Sequence, residues 1–428
     1  MKRTMLAVTM AAVVAATAAG CGGGAGSSDD AATAHGPIKI WYSNNPDEIA
    51  WGKQMVAAWN SAHPKEKVTA QQIPTGKSSE EVIGAAITAG NEPCLIFNTS
   101  PASVPQFQKQ GGLVPLDDFP GAAKYIEQRS GGLAKQYASP DGKYYQLPWK
   151  SNPVQVFYNK KIFTKAGLDP DSPKLSTYAD FLATGKKIVR SGAAKYAIWP
   201  APSSEFYQSW FDYYPLFAAA SGGKQLVEKG KSQFTSSTGT QVANFWHSVY
   251  QQKLASTETY QGDSFAEGKA AMAIVGPWAI ASYKDKVDWG VVPVPTPSGM
   301  PAGQIHTFSD AKNAAMYASC TNRGTAWDVL KFATSKAQDG KLLENTGQMP
   351  LRPELKSDFP DYFTEHPEYE GFADATSRTV EVPNVANSIS IWQTFRDAYS
   401  KSVIFGKAGV QPTLGGAAKK IDSLAASS

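Results

Sequence analysis

Several things are scarce in this sequence. Three cysteines in 428 residues exclude a scaffold built on disulfides. The five histidines stand singly, with no HExxH, no CxxC and no GxSxG, so zinc-protease, dithiol and hydrolase-elbow chemistry have no local signature. Gly76-Lys77-Ser78 would end a phosphate-binding loop, but Gln71 stands where that loop needs glycine. No charge of one sign dominates: 41 Lys and Arg face 37 Asp and Glu, for a net +4. No basic cluster interleaves with aromatics, so nucleic acid is not an expected partner. Beyond residue 20 no apolar run reaches the ~18 residues of a membrane span. No period of 20–50 residues recurs, which excludes a solenoid. Nothing calls for a catalytic group, a cofactor or a metal. Paired carboxylates of a tethered glycoside hydrolase stay open, because such pairs meet only in the fold.

Aromatics are plentiful: 11 Trp, 18 Tyr and 19 Phe within a chain that is 42% hydrophobic and 18% charged. The length predicts two compact units, with ample chain for a large core. Residues 1–20 read as a secretory signal: Lys2 and Arg3, an apolar stretch from Met5 to Val14, then Ala18-Ala19-Gly20. Cys21 follows at once, and the junction is similar to the lipobox of bacterial lipoproteins, in which that cysteine carries a diacylglycerol. The alternative is a secreted chain with an incidental Cys21. Residues 21–36, small and Gly-rich, predict a flexible tether. Outside the cytoplasm Cys94 and Cys320 are either one disulfide or two buried thiols, and sequence does not supply the distance that decides.

Ile38–Tyr42, Val68–Ile73 and Cys94–Phe97 read as strands, with amphipathic helices after Asp47 and over Glu80–Ala89 between them. That alternation predicts an α/β lobe with a largely parallel sheet, whose ligands lie beyond the carboxyl ends of the strands. Asn44 and Asn98 fall on that edge. Further on, Thr177–Ser191, Phe206–Ala220, Thr325–Ser335 and Ile389–Phe405 read as helices, Ala270–Val275 as a strand, and Val291–Pro297 as a proline-rich crossover.

Three stretches share an order and spacing. They are Tyr145-Gln146-Leu147-Pro148-Trp149 with Val156-Phe157-Tyr158-Asn159-Lys160-Lys161 through Gly167-Leu168; Phe265-Ala266-Glu267-Gly268-Lys269-Ala270-Ala271-Met272 through Gly276-Pro277-Trp278; and Ala326-Trp327-Asp328-Val329-Leu330-Lys331-Phe332. Together they resemble the family 1 extracellular solute-binding proteins, the maltodextrin-binding-like receptors of carbohydrate ABC importers. The resemblance implies a periplasmic-binding-protein-like α/β fold of two lobes, with a hinge and a ligand cleft between them. By that analogy 37–151 plus 296–334 form lobe 1, and 152–295 plus 335–428 form lobe 2. It implies a monomer that takes a carbohydrate ligand, with permease and ATPase subunits as partners, held by its lipid at the extracytoplasmic face of the cell membrane.

A sugar offers weakly apolar faces to aromatic rings and a rim of hydroxyls to polar side chains. The resemblance places Trp278 at the cleft, although a Trp at a strand end also suits a core. Trp210, Tyr213 and Tyr214 would share one face of a helix, with Phe211 and Asp212 pointing elsewhere. Trp210 and Tyr214 are then expected at the cleft, and Trp392 as a later aromatic of lobe 2; each has a core alternative. Trp149 is expected on the hinge side. From lobe 1, Asn44, Asn98 and Asp310 would meet hydroxyls, though Asp310 also suits a turn. Arg352 could fork onto a hydroxyl pair or sit in a salt bridge. Glycerol phosphate or a polyamine is the alternative ligand, since a fold does not fix its ligand.

Overall fold

The computed structural model describes residues 32–76, 78–199 and 202–426. Residues 1–31, with the signal segment and Cys21, lie outside them. The first lobe is built on a five-stranded sheet of β1 (Ile38–Tyr42), β2 (Val68–Gln72), β3 (Leu95–Thr99), β4 (Leu147–Lys150) and a late strand, β10 (Lys312–Met316). Its order is β2-β1-β3-β10-β4, with β1 parallel to β2 and β3. β10 runs antiparallel to both β3 and β4, so the sheet is mixed where the sequence suggested a largely parallel one.

Helix α1 (Pro46–Ala62) follows β1, and α2 (Ser79–Ala89) follows β2. The Asn45 side chain caps α1 by accepting from the amides of Asp47 and Glu48, and Pro46 supplies a preset first turn. The helix therefore starts at Pro46, capped by Asn45, slightly earlier than the start after Asp47 that the sequence suggested. Trp51, Met55 and Trp59 come from one face of α1 and fill the lobe 1 core.

The second lobe holds a four-stranded sheet of β5 (Gln155–Asn159), β6 (Tyr196–Trp199), β7 (Ala270–Val275) and β8 (Trp289–Val292), in the order β8-β5-β7-β6. β5 and β7 are buried along their whole length, as befits strands covered on both faces. Helix α3 (Tyr178–Arg190) is capped by Thr177.

Three segments cross between the lobes. The first lies between Lys150 and Gln155. The second runs from β8 through β9 (Thr307–Phe308), which pairs with β11 (Thr379–Val380), into β10. The third follows α6 (Lys336–Thr346), the helix after α5 (Arg323–Ala333). They are tied together: Asn152 donates its amide to the Ser309 carbonyl at 2.6 Å and Ser151 to that of Met349 at 2.8 Å.

The expected boundaries need two corrections. Residues 296–308 pack with lobe 2, since Thr296 bonds to Ser176 and Tyr178, and Ile305 and Phe308 enter the lobe 2 core. Residues 335–346 pack with lobe 1, where Leu342 joins the core and the Trp51 indole donates to the Gln338 carbonyl at 3.1 Å.

The tether also ends earlier than expected. Residues 34–36 dock on the start of α5: Gly324 donates to the Ala34 carbonyl at 3.0 Å, and Gly36 donates to Thr325 Oγ1 at 3.0 Å. Cys94 and Cys320 are bonded, with Cα atoms 4.4 Å apart, and join the ends of neighbouring strands β3 and β10. Among the described residues no helix is long and apolar enough to cross a membrane.

Candidate functional site

The carboxyl edge of the lobe 1 sheet gathers one set of groups. Asn44 lies exposed just past β1, and Asn98 is half-buried near the end of β3. β10 enters from the opposite direction, so its first residue, Lys312, pairs in register with the last of β4, Lys150. That places Asp310 and Lys312 on the same edge. Asn98 and Asp310 hold φ values of 80° and 37°, left-handed conformations uncommon outside glycine. Strain of this kind persists where the surroundings impose it, and it clusters at functional sites.

Asp310 accepts from the Lys312 ammonium at 3.0 Å. Burial works to lower the Lys312 pKa, but the carboxylates of Asp310, Glu80 and Glu381 outweigh it and hold the ammonium above its ordinary value. Beside this pair, Lys150 donates to Glu48 at 2.5 Å and to Gln348 at 2.8 Å. Burial lowers the Lys150 pKa against the pull of Glu48. The edge thus carries two lysine–carboxylate pairs side by side.

From lobe 2, Tyr207 is 38% exposed and has Glu80, Lys312 and Asp310 of lobe 1 among its charged neighbours. Trp278 begins the turn after β7 and is half-buried. Gly276 is required there, because a Cβ would lie 1.8 Å from the indole. Phe211, also half-buried, meets Trp278 edge to face with ring centroids 6.2 Å apart. A groove of about 790 Å³ opens between the lobes, lined by Glu80, Glu81 and Gln106 on one side and Glu205, Phe206 and Gln393 on the other. A second cavity, of about 590 Å³, is walled by lobe 2 and hinge residues such as Trp289, Asp374 and Arg378.

Other expected residues go elsewhere. The helix expected over Phe206–Ala220 is broken at Asp212, whose backbone (φ −139°, ψ −78°) separates a turn over Gln208–Phe211 from α4 (Tyr213–Ser221). Buried Asp212 caps α4 by accepting from the Tyr213 amide. Trp210 and Tyr214 are therefore not on one continuous helix, yet both rings pack on Phe308 and Trp392, while Phe211 meets Trp278. Trp210 is buried against Phe308 and Trp392. Tyr214 is wholly buried and donates its hydroxyl to the Glu381 carbonyl at 2.7 Å. Trp392, on α7 (Ser388–Tyr399), packs edge to face on Tyr214 with no exposed surface.

Trp149 belongs to the lobe 1 core, against Trp51 and Phe97. Arg352 is a salt-bridge residue: its Nε donates to buried Asp339 at 2.6 Å, and Arg129 holds the same carboxylate at 2.8 Å. Burial raises the Asp339 pKa, and the two guanidinium groups oppose it. The residues that sequence reasoning missed are Lys312, Tyr207, Phe211 and Glu80. Only Lys312 left a signal, as a charge two places from Asp310 at a strand start.

The chain matches the family described as bacterial extracellular solute-binding protein over residues 42–340, and it belongs to that family. It is 25% identical to the maltotriose-binding protein of Pyrococcus abyssi over 374 residues, 85% of this chain and 77% of that one. It is 26% identical to the diacetylchitobiose binding protein of Streptomyces coelicolor over 335 residues, 75% of this chain and 74% of that one. The cyclic alpha-maltosyl-1,6-maltose binding protein of Arthrobacter globiformis shares its fold, with a TM-score of 0.78 at 18% identity over 91% of this chain and 99% of that one.

Proposed function

We propose that this protein captures an oligosaccharide between its lobes and delivers it to the permease and ATPase of an ABC importer. The observation that supports the reading is the chemistry of two surfaces, one on each lobe. Half-buried Trp278, buttressed by Phe211, offers an aromatic face from lobe 2, and the lobe 1 edge offers Asn44, Asn98, Asp310 and Lys312. Such a pair suits a ring with an apolar face and a hydroxyl rim. The maltotriose- and diacetylchitobiose-binding relatives support a carbohydrate over glycerol phosphate or a polyamine. The family to which the chain belongs binds solutes, and the reading includes no catalysis. Cys21 carries the lipid that holds the protein at the outer face of the cell membrane.

A thermal-shift screen of mono-, di- and trisaccharides, with a hydrolysis assay on the same panel, tests this. A ligand at a hundred times its dissociation constant adds about 2.7 kcal/mol to stability. Stabilisation by an oligosaccharide without turnover supports the reading. Turnover, or a response only to glycerol phosphate or polyamine, overturns it. Labelled lipid should partition with wild type and not with Cys21→Ser, and incorporation into the variant sinks the anchor.

A further inference from the structure

The opposite edge of the lobe 1 sheet carries a second gathering of groups, at the amino ends of β1 and β2. His35 precedes β1, Glu66 precedes β2, and Asp328 comes from α5. The His35 Nδ1 lies 3.4 Å from Glu66 Oε1 and 4.0 Å from Asp328 Oδ2. One ligand atom from each of the three lies within 4.8 Å of the others.

We propose that these three side chains form a binding site for a divalent cation of the zinc class, which fastens the N-terminal segment to lobe 1. Zinc takes nitrogen and oxygen ligands at ~2.0–2.2 Å, and two such ligands at a tetrahedral angle stand roughly 3.3–3.6 Å apart. The His35–Glu66 separation of 3.4 Å already meets that spacing, and Asp328 needs only a small rotamer adjustment from 4.0 Å.

The outer atoms are arranged to match. Glu66 turns Oε1 towards His35 while Oε2 accepts from Thr325 Oγ1 at 3.2 Å. Asp328 turns Oδ2 towards His35 while Oδ1 pairs with Lys331 at 2.9 Å. Each carboxylate thus has one oxygen held by its own neighbour and one left facing the imidazole, the arrangement in which outer partners orient metal ligands. Gly324 lets residues 34–35 seat closely on α5, since a Cβ there would lie 2.8 Å from both His35 Nε2 and the Ala34 carbonyl. All three side chains keep partial exposure, so an ion can enter and water can complete its shell. One imidazole with two carboxylates suits zinc and neighbouring first-row ions better than calcium, which prefers an all-oxygen cage.

Calorimetric titration of zinc chloride into the full-length protein, stripped of metal with a chelator, tests the site. Wild type should take up one equivalent. His35→Ala and Glu66→Gln should each weaken uptake by more than the roughly 10–100-fold that an outer partner costs, and Thr325→Ala by about that 10-fold lower bound. Zinc should also slow hydrogen exchange at the Gly36 amide in wild type alone. The saccharide response should be unchanged in all three variants, because the cleft lies at the other edge of the sheet. No uptake by wild type, or equal uptake by wild type and both ligand variants, leaves His35 a simple ion-pair partner and overturns the proposal.

Discussion

Trp278 and Trp392 are chemically identical and sit in one lobe, yet the structure gives them opposite expected phenotypes. Trp278 keeps part of its ring exposed, and Trp392 is sealed among Trp210, Tyr214 and Phe395. Truncating a stacking indole removes on the order of 2–4 kcal/mol of binding, a roughly thirtyfold to thousandfold loss of affinity. Trp278→Ala should therefore lose the saccharide and keep its unfolding midpoint. Trp392→Ala should lose about 3–5 kcal/mol of stability, as large core truncations do. Calorimetry of binding together with denaturant unfolding separates the two. If Trp278→Ala unfolds the protein, Trp278 is a core residue and the aromatic wall is misassigned. Arg352→Ala belongs with the stability class, because it takes one of two guanidinium partners from buried Asp339.

At the scale of elements, strands and helices with strong periodicity were legible from the sequence, while breaks and returns were not. β1, α2 and α3 lie within two residues of their expected bounds because alternation or 3.6-residue spacing is continuous along them. The break at Asp212 was hidden, because Trp210 to Tyr214 suits a helix by spacing alone. What ends the turn is a buried carboxyl that accepts from Gln208 and Tyr250 as well as capping α4, and these are contacts no local window shows. For the same reason the sequence leaves Arg352 open between a hydroxyl pair and a salt bridge, since its partner Asp339 on α6 meets it only in the fold. The β3–β10 disulfide is another such long-range fact. Replacing Cys94 and Cys320 with alanine should lower the unfolding free energy by about 2–4 kcal/mol, measured by urea titration, with the fold retained. An unchanged midpoint would mean the bond adds nothing to the paired strands.

For the whole molecule, two buried carboxyls set a pH dependence. Burial raises Glu381, at the hinge, to about 8 and Asp212, in lobe 2, to about 7. A carboxyl whose folded pKa exceeds its unfolded one holds a proton that the unfolded chain has already released. Stability from such groups is complete below the unfolded carboxyl range, near pH 4, and is lost as pH rises towards 7 and then 8. A tenfold difference in proton affinity between folded and unfolded chain is worth at most about 1.4 kcal/mol, and structural relaxation reduces it. Unfolding should thus become easier from pH 5 to pH 8, and Glu381→Gln should flatten the upper part of that slope. A slope of opposite sign would show both carboxyls to be ionised in the folded protein. The two-lobe plan was implied by the family resemblance that three motifs carry, but the lysines at the edge of the lobe 1 sheet were not. Lys150 and Lys312 are 162 positions apart in sequence and become neighbours only when β10 slots in beside β4.

That late strand has a consequence for synthesis. A chain made from its N-terminus completes β1, β2, β3 and β4 long before β10 exists. Until residues 312–316 emerge, β3 and β4 each present an unpaired edge, and Cys94 waits for a partner 226 positions away. The first lobe to be started therefore stays open until more than two thirds of the chain has been made. Throughout that interval an open strand edge and a free thiol are exposed together, which makes Cys94 the natural point of capture for a thiol oxidant or a holding chaperone.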